Sequence, residues 1–309
     1  MHRSLALSVP ATVTSDLCQQ LLPLEDVIGL SVQPGASLKP PGDVITVHVL
    51  NRGADEVLRR AQAAVPEPEA LSVATAELSS IIAPADGERI MNDKDEAIWE
   101  EVEAGLRHQG RPTPNYAALM ALGGVIAAVG LVSEPVPQAV AFIASSIISP
   151  GFEPIASIPM GTVLRRWHVV GRGLRSVLIG YALFMLTAGL TMLWLVGAGE
   201  ASASALAANP EVKNIANPSL KEFLLSACGA AAGIVIIAAY RRSVIAGALI
   251  ALILMPAAAL VGCGIAVGQS HLAMEGLTRF LIDVGFVLVL GLLIFYIKQR
   301  AVHQRKPLE

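Results

Sequence analysis

Residues Gly123–Pro150 read GGVIAAVGLVSEPVPQAVAFIASSIISP, and residues Gly229–Pro256 read GAAAGIVIIAAYRRSVIAGALIALILMP. Each stretch is an apolar run, a short polar turn and a second apolar run that reaches a proline after the same number of residues. A third long apolar run follows each copy, so each unit is predicted to cross a bilayer three times. Because three is odd, the second copy is predicted to be inverted relative to the first, an arrangement typical of membrane transporters.

Composition divides the chain into a soluble part and a membrane part. The sequence is 54% hydrophobic and 15% charged, with a mean hydropathy of +0.60. Soluble domains carry about 25% charged residues. Most of the acidic residues fall within residues 1–112, so the lipid bilayer is the expected partner of the remainder. The net charge of -3 gives no indication of a nucleic-acid partner, and none is expected.

Residues 1–85 are predicted to form a small cytoplasmic α+β domain. The strands and helices are predicted, in chain order, at residues 3–9, 14–22, 27–33, 43–50, 51–65 and 71–82. Their order, β-α-β-β-α-β, is that of a ferredoxin-like or ACT-like domain. His48 lies on the third predicted strand and is either an ordinary strand histidine or a pH- or metal-sensing group. The first residues lack the apolar stretch of a secretory signal, which favours a cytoplasmic location for this domain.

Residues 86–112 are predicted to form an acidic amphipathic connecting helix, centred on Asp93–Gln109. Its apolar residues repeat every four positions, and Asp93 followed by Glu96 resembles a capping box. The helix is either a solvated linker or a surface for self-association or a partner.

The rest of the chain is predicted to form six membrane spans, because about 20 apolar residues cross the hydrocarbon layer. This gives a first transmembrane repeat over residues 113–200, an extracytoplasmic loop over 201–219, a second repeat over 220–298 and a basic cytoplasmic tail over 299–309. Glycines such as Gly189 are predicted to be close-packing positions between helices. The predicted spans are Tyr116–Val132, Val136–Val163, Val177–Val196, Phe223–Tyr240, Val244–Val267 and Phe280–Ile297.

Loop charge predicts the orientation of these spans. Basic residues are concentrated in the link at 165–175, at Arg241-Arg242 and in the C-terminal tail, whereas the alternate loops hold few. Since positively charged loops stay in the cytoplasm, both termini are predicted to be cytoplasmic.

The candidate site lies where the second span is interrupted, at Ser149–Pro154. Prolines remove N–H donors and leave carbonyl groups without partners, so such a break must face protein or a wet cavity. Glu153 is either a functional acid within the membrane or a surface group of a re-entrant segment, and Asp283 either hydrogen-bonds across helices or joins Glu153 as a cation or proton ligand. A second break is predicted at Pro256. The candidate residues for a solute or ion site are Ser145, Ser146, Ser149, Pro150, Glu153, Pro154, Pro256 and Asp283.

Several short motifs are spread over roughly Asn115–Tyr296: Asn115-Tyr116, the run IAAVGL at Ile126–Leu131, Ile148-Ser149-Pro150, Pro154-Ile155 and the run Ala248–Pro256. In these motifs the sequence resembles a bacterial membrane family known as domain of unknown function 389. The resemblance implies a multi-spanning domain of a bacterial inner membrane, often with a small N-terminal domain, and it implies no substrate. This sequence departs from the family pattern at Glu153, where a small residue is expected, and at Asp283, where an amide is expected.

Three functions remain open from the sequence. The first is a transporter or channel for a small solute or ion, with a cytoplasmic domain that regulates it or holds a homo-oligomer together. The second is a non-transporting membrane scaffold or sensor whose N-terminal domain carries the function. An intramembrane enzyme is the weakest alternative, because the sequence contains no HExxH, no GxSxG and no aspartate pair. We therefore expect no catalytic activity, no cofactor and no bound metal.

Overall fold

The computed structural model describes residues 2–239, 243–303, 305, 307 and 308, and for residues 243–252 it describes the backbone alone. Tyr240, the pair Arg241-Arg242 and Lys306 therefore lie outside the described residues. The chain folds into two compact units. One comprises residues 1–101 together with 299–309, and the other comprises residues 102–298.

The first unit contains a four-stranded antiparallel sheet with the strand order β2-β3-β1-β4. The β-α-β-β-α-β order predicted from the sequence is the observed order. A short helix, α3, follows the sheet. The elements are β1 (His2–Val9), α1 (Ala11–Leu21), β2 (Val27–Leu38), β3 (Pro41–Leu50), α2 (Asn51–Ala64), β4 (Ser72–Leu78) and α3 (Gly87–Met91).

Buried apolar residues at alternate positions along the strands form the core of this unit. Leu5 and Leu7 on β1 and Val47 on β3 are fully buried, and they pack in one cluster with Leu17 of α1 and Leu58 of α2. Burying each such side chain contributes about 1.5–3 kcal/mol. The helices therefore cover one face of the sheet.

Strand β2 continues to Leu38, beyond its predicted end at residue 33. Pro34 and Gly35 lie within the strand, at a shift in register between Gln33 and Ser37. A proline is tolerated here because β2 is an edge strand, where a missing N–H costs no sheet hydrogen bond on the open side.

The segment after the sheet is helical over a shorter range than predicted. Helix α4 spans Trp99–Gly110, whereas the sequence predicts a helix from Asp93. The Asp93 carboxylate accepts hydrogen bonds from the backbone N–H groups of Asn51 and Lys94, each at 2.8 Å, so it caps the start of α2 and does not begin a helix of its own. A partner distant in sequence has replaced the predicted local capping box.

The described part of the C-terminal tail is bound within the first unit. A π-helical turn over Gln299–His303 places the ring of His303 with its centroid 4.5 Å from that of Trp99. Its Nδ1 atom lies 2.6 Å from Oδ2 of Asp55. Arg305, which is 6% exposed, forms ion pairs with Asp55 and with Glu100. These contacts form a partly buried polar network.

The second unit is a bundle of helices. It begins within α4 and continues through helices that are separated by short links. Residues 201–219, predicted as a loop, contain two short helices. The helices are α5 (Pro114–Leu131), α6 (Pro135–Ile148), α7 (Phe152–Val163), α8 (Trp167–Gly197), α9 (Ala203–Ala208), α10 (Pro210–Ala216), α11 (Leu220–Ala238), α12 (Ser243–Ala266) and α13 (Ser270–Lys298).

Several of these helices are compatible with a multi-pass membrane protein. Helices α5, α8, α11 and α13 are long and apolar enough to cross a bilayer, and the bent pair α6 and α7 raises the number of candidate spans to 5. In α12 the part with described side chains, Ile253–Ala266, forms a shorter apolar helix. The predicted total of six spans and the inverted repeat remain predictions.

The two predicted proline breaks behave differently. Between α6 and α7 the chain bends by 49° at Ser149–Gly151, as predicted. The break predicted at Pro256 is wrong, because α12 continues through this proline. A single proline removes only one helical hydrogen bond. Ala257, Ala258 and Ala259 after it are fully buried, so packing of the small side chains holds this part of α12 in place.

Close approach of α8 and α12 depends on glycine. A Cβ atom added to Gly189 of α8 would lie 2.8 Å from the carbonyl oxygen of Gly262 on α12. This agrees with the predicted role of the glycines as close-packing positions, since small residues let the backbones of membrane helices meet.

Candidate functional site

The bend between α6 and α7 follows from its sequence, Ser149-Pro150-Gly151-Phe152-Glu153. Pro150 has no N–H to continue α6, and Gly151 is the residue that precedes α7. Glu153 is the second residue of α7, where unpaired backbone N–H groups and the helix dipole favour an acid. The local sequence thus places a carboxyl group at the start of a helix inside the bundle.

Three buried polar atoms beside this bend have no hydrogen-bond partner among the described residues: Ser149 Oγ, Glu153 Oε2 and Tyr181 Oη. Their side chains belong to residues that are 3–4% exposed. A buried polar group that is left unsatisfied costs about 1–3 kcal/mol. The bend is therefore a place where water, an ion or a solute would be stabilised by groups already in position.

A cavity of about 1020 Å³ reaches this bend, and we call it the Glu153 cavity. Its wall is formed by the end of α4, the start of α5 and the end of α6. It is lined by Ala104, Arg107, His108, Gln109, Arg111, Thr113, Pro114, Asn115, Tyr116, Leu119, Ser146, Ile147, Ile148, Ser149, Pro150 and Glu153.

Four of the predicted site residues line the Glu153 cavity: Ser146, Ser149, Pro150 and Glu153. Ser145 is buried beside them and donates to the carbonyl oxygen of Gly123 at 2.9 Å.

Pro154 does not line this cavity. It packs instead against Gly110 at the end of α4, where a Cβ atom added to that glycine would lie 3.1 Å from Pro154 Cδ.

A second cavity of about 470 Å³ reaches Pro256, and we call it the Arg279 cavity. Its wall includes the start of α6, helix α10, the start of α11 and part of α13. It is lined by Pro135, Gln138, Ala139, Phe142, Ile143, Pro210, Glu211, Asn214, Ile215, Glu222, Leu225, Ser226, Ile253, Pro256 and Arg279. Burial raises the pKa of Glu211 above its ordinary value, although a hydrogen bond with Asn214 partly opposes the shift.

Asp283 and Glu153 are not brought together in the lining of either cavity. Asp283 Oδ2 accepts a hydrogen bond from Nε of Arg279, four residues earlier, at 2.9 Å. Arg279 also donates to Oγ of Ser226 on α11 at 2.7 Å, and its guanidinium carbon lies 5.2 Å from the ring centroid of Phe223. The acid therefore contributes to a buried interhelical network.

Arg279 lies just before the predicted span Phe280–Ile297, and this network was not predicted from the sequence. The i, i+4 spacing of Arg279 and Asp283 on one helix was the available signal, because residues with that spacing are neighbours on a helix surface. Tyr181 was also missed, since nothing in the sequence places it beside the bend.

The two cavities lie along the same helix, α6. Ser146, Ile147 and Ile148 near the end of α6 line the Glu153 cavity, whereas Pro135 and Phe142 earlier in α6 line the Arg279 cavity. A Cβ atom added to Gly151 would lie 2.7 Å from Cε of Met255 and 2.6 Å from Oη of Tyr181. Gly151 follows Pro150, and Met255 precedes Pro256, so the residues next to the two prolines contact each other.

Within the part of the chain that the structure describes, no group of three or more His, Cys, Asp or Glu residues is placed to hold a metal ion. His48 lies on β3 beside Gly29, and this arrangement does not distinguish an ordinary strand histidine from a pH- or metal-sensing group.

Residues 146–289 match the model of the family described as Domain of unknown function (DUF389). The matched segment runs from the end of α6 through most of α13, and it includes Glu153, Pro256 and Asp283. No curated protein matches the chain, and no solved structure does.

Proposed function

We propose that this chain, a member of the domain of unknown function 389 family, is a transporter or channel for a small solute or ion in the bacterial inner membrane. The observation that carries the proposal is the pair of cavities, one lined by Pro150 and the other by Pro256. A non-transporting scaffold has no need of such cavities and would gain stability from close packing around both prolines.

The polar atoms at the bend support the same proposal. Ser149 Oγ and Glu153 Oε2 belong to residues that line the Glu153 cavity, and both are buried without a described partner. Charged and polar groups within a membrane domain are costly and are commonly found on ion or solute paths. A solute that reaches the bend would accept a hydrogen bond from the Ser149 hydroxyl group, which has no described partner.

The proposal includes six spans in two inverted repeats. The first repeat consists of α5, the bent pair α6–α7, and α8, and the second consists of α11, α12 and α13. Helix α8 packs against α12 of the second repeat, and α13 packs against α7 of the first. A two-fold relation between the repeats predicts such an exchange of partners. A broken helix near the centre of the first repeat then supplies backbone groups for solute binding.

We also propose that both termini are cytoplasmic and that the N-terminal sheet domain regulates the membrane domain or holds a homo-oligomer together. Labelling of single cysteines tests the orientation. A cysteine at Arg175 should react only from the cytoplasmic side, and one at Ser204 only from the opposite side. Labelling of both from the same side would contradict the proposed topology.

Flux through reconstituted protein tests the function. The full chain in liposomes should move at least one of a panel of small ions and solutes, monitored by entrapped fluorescent indicators and by radiolabelled counterflow. The E153Q variant should lose that flux, whereas E134Q, which changes an exposed acid at the start of α6, should retain it. If no member of the panel moves through the wild-type chain, the scaffold or sensor is favoured.

A further inference from the structure

The lining of the Glu153 cavity has an uneven distribution of charge. Arg107, His108 and Arg111 lie around it, and Glu153 is the only acid among the lining residues. The Arg279 cavity has the opposite bias, because Glu211 and Glu222 line it while its arginine is already paired with Asp283. The cavity at the end of α4 is therefore the one suited to negative charge.

The basic side chains around the Glu153 cavity are available to a ligand. Arg107 and His108 are exposed near the end of α4, and Arg111 is exposed just after it. No ion pair joins any of the three to another described residue. A guanidinium group presents several N–H donors in a plane that matches a carboxylate or phosphate group, so two arginines beside one cavity favour an anion.

The inner end of the cavity offers a further donor. The hydroxyl group of Ser149 is buried, lines the cavity and has no described partner. It is free to donate to an anion that reaches the bend. Tyr116 lines the same cavity, but its hydroxyl group already donates to the carbonyl oxygen of Ser176 at 2.9 Å.

We propose that the Glu153 cavity binds a small anion that carries a carboxylate or phosphate group. Arg107 and Arg111 attract and hold the charge, and Ser149 donates a hydrogen bond to it. The inference names the substrate class of the proposed transporter and rests on that proposed function. The volume of about 1020 Å³ accommodates a small organic anion, since ligand sites measure roughly 300–1,000 Å³.

Anionic lipid offers the same chemistry as a soluble anion. Leu119 and Ile147 line the cavity and are exposed, so an acyl chain could lie beside them while its phosphate meets the arginines. The proposed ligand is a soluble anion, and the experiment distinguishes it from an anionic lipid.

Binding is measured by isothermal titration of the full chain in uncharged detergent, with inorganic phosphate and succinate as separate probes. At least one probe should bind the wild-type chain, and the double variant R107Q/R111Q should bind it at least about tenfold more weakly. The matched control R165Q/R175Q removes two exposed arginines that do not line the cavity, and it should change the affinity less than about twofold. S149A should weaken binding severalfold without preventing folding.

Nanodiscs test whether an anionic lipid, instead of a soluble anion, occupies the site. Binding of the soluble probe should be unchanged between phosphatidylcholine nanodiscs and nanodiscs that contain phosphatidylglycerol. The inference is overturned if neither probe binds, if R107Q/R111Q binds as tightly as the control, or if phosphatidylglycerol alone occupies the site.

Flux and binding together distinguish the two proposals. Flux of a cation without binding of either anion would contradict the proposed anion site but would still support a transporter. Binding that depends on Arg107 and Arg111, without flux of any solute, would support the anion site but contradict the proposed transporter.

Discussion

Gly151 and Met255 are in van der Waals contact, so that a single methyl group on Gly151 would lie 2.7 Å from the Met255 side chain. Gly151 begins the turn from Pro150 into α7, and Met255 lies in α12 beside Pro256. The contact therefore joins the broken helix of one predicted repeat to the continuous helix of the other. Its closeness depends on the absence of a side chain at position 151.

Substitution of this glycine should measure how tight the contact is. G151A should destabilise the protein by about 1–3 kcal/mol, because the added methyl group has no free space. The backbone angle φ at Gly151 is -89°, which alanine adopts without strain, so the effect reports packing alone. Denaturant unfolding in detergent measures the difference.

Two further variants complete this test. M255A in the G151A background should recover part of the loss, because it removes one of the two side chains that the methyl group meets, the other being Tyr181. G171A, at a helical glycine with nothing within 4 Å of the added Cβ atom, should be neutral or stabilising. Equal effects of G151A and G171A would show that the contact is loose.

E153Q should separate stability from transport. The substitution keeps the shape of a buried side chain that has an unpartnered oxygen, and it removes an ionisable group that is costly to bury. We expect the melting temperature in detergent to be unchanged or higher, while flux in liposomes falls at least about tenfold. A fall in melting temperature with unchanged flux would instead assign Glu153 a structural role.

Removal of one partner from the Arg279–Asp283 ion pair should cause a large loss of stability. R279A should cost about 3 kcal/mol, because it leaves the buried Asp283 carboxylate without its charge partner. D283N should cost less, since its amide oxygen still accepts the hydrogen bond. K221A, which removes an exposed lysine at the start of α11, serves as the control in the same unfolding experiment. A loss below about 1 kcal/mol for R279A would mean that water already screens the pair.

The C-terminal tail should be released by loss of the Asp55 charge. Burial alone would raise the pKa of Asp55, but the hydrogen bond with His303 and the charge of Arg305 outweigh it and hold the pKa below its ordinary value. A lowered pKa stabilises the folded state above the unfolded-state value of about 3.9, and this contribution is lost as pH falls through the lower folded-state value. The network should therefore be intact at neutral and mildly acidic pH.

Hydrogen exchange of the full chain checks this prediction at neutral pH. D55N should increase the amide exchange of Gln299–His303 about tenfold, because it removes the charge that both His303 and Arg305 contact. D16N changes an exposed acid on α1 and should leave the exchange of the tail unchanged. Unaltered exchange in D55N would show that Glu100 alone holds Arg305.

Much of the fold follows from local patterns. Alternation of apolar residues with period two predicts the strands, and the order of the six elements in the first domain is the observed one. The Ser149-Pro150 bend was also predictable, because proline and glycine act on their own segment. The continuity of α12 through Pro256 was not predictable, because whether one proline interrupts a helix depends on what packs around it. Here buried alanines support α12.

Residue order alone was sufficient for the apolar helices, the sheet domain and the bend at Pro150, since each depends on chemistry within one short segment. The folded chain was needed for relationships between segments. The Asp55–Arg305 ion pair joins residues 250 positions apart, the Asp93 carboxylate caps a helix 42 positions away, and the Arg279–Asp283 pair finds Ser226 on another helix. Charges and polar groups choose partners by distance in space, and that distance is set only when the apolar faces have packed.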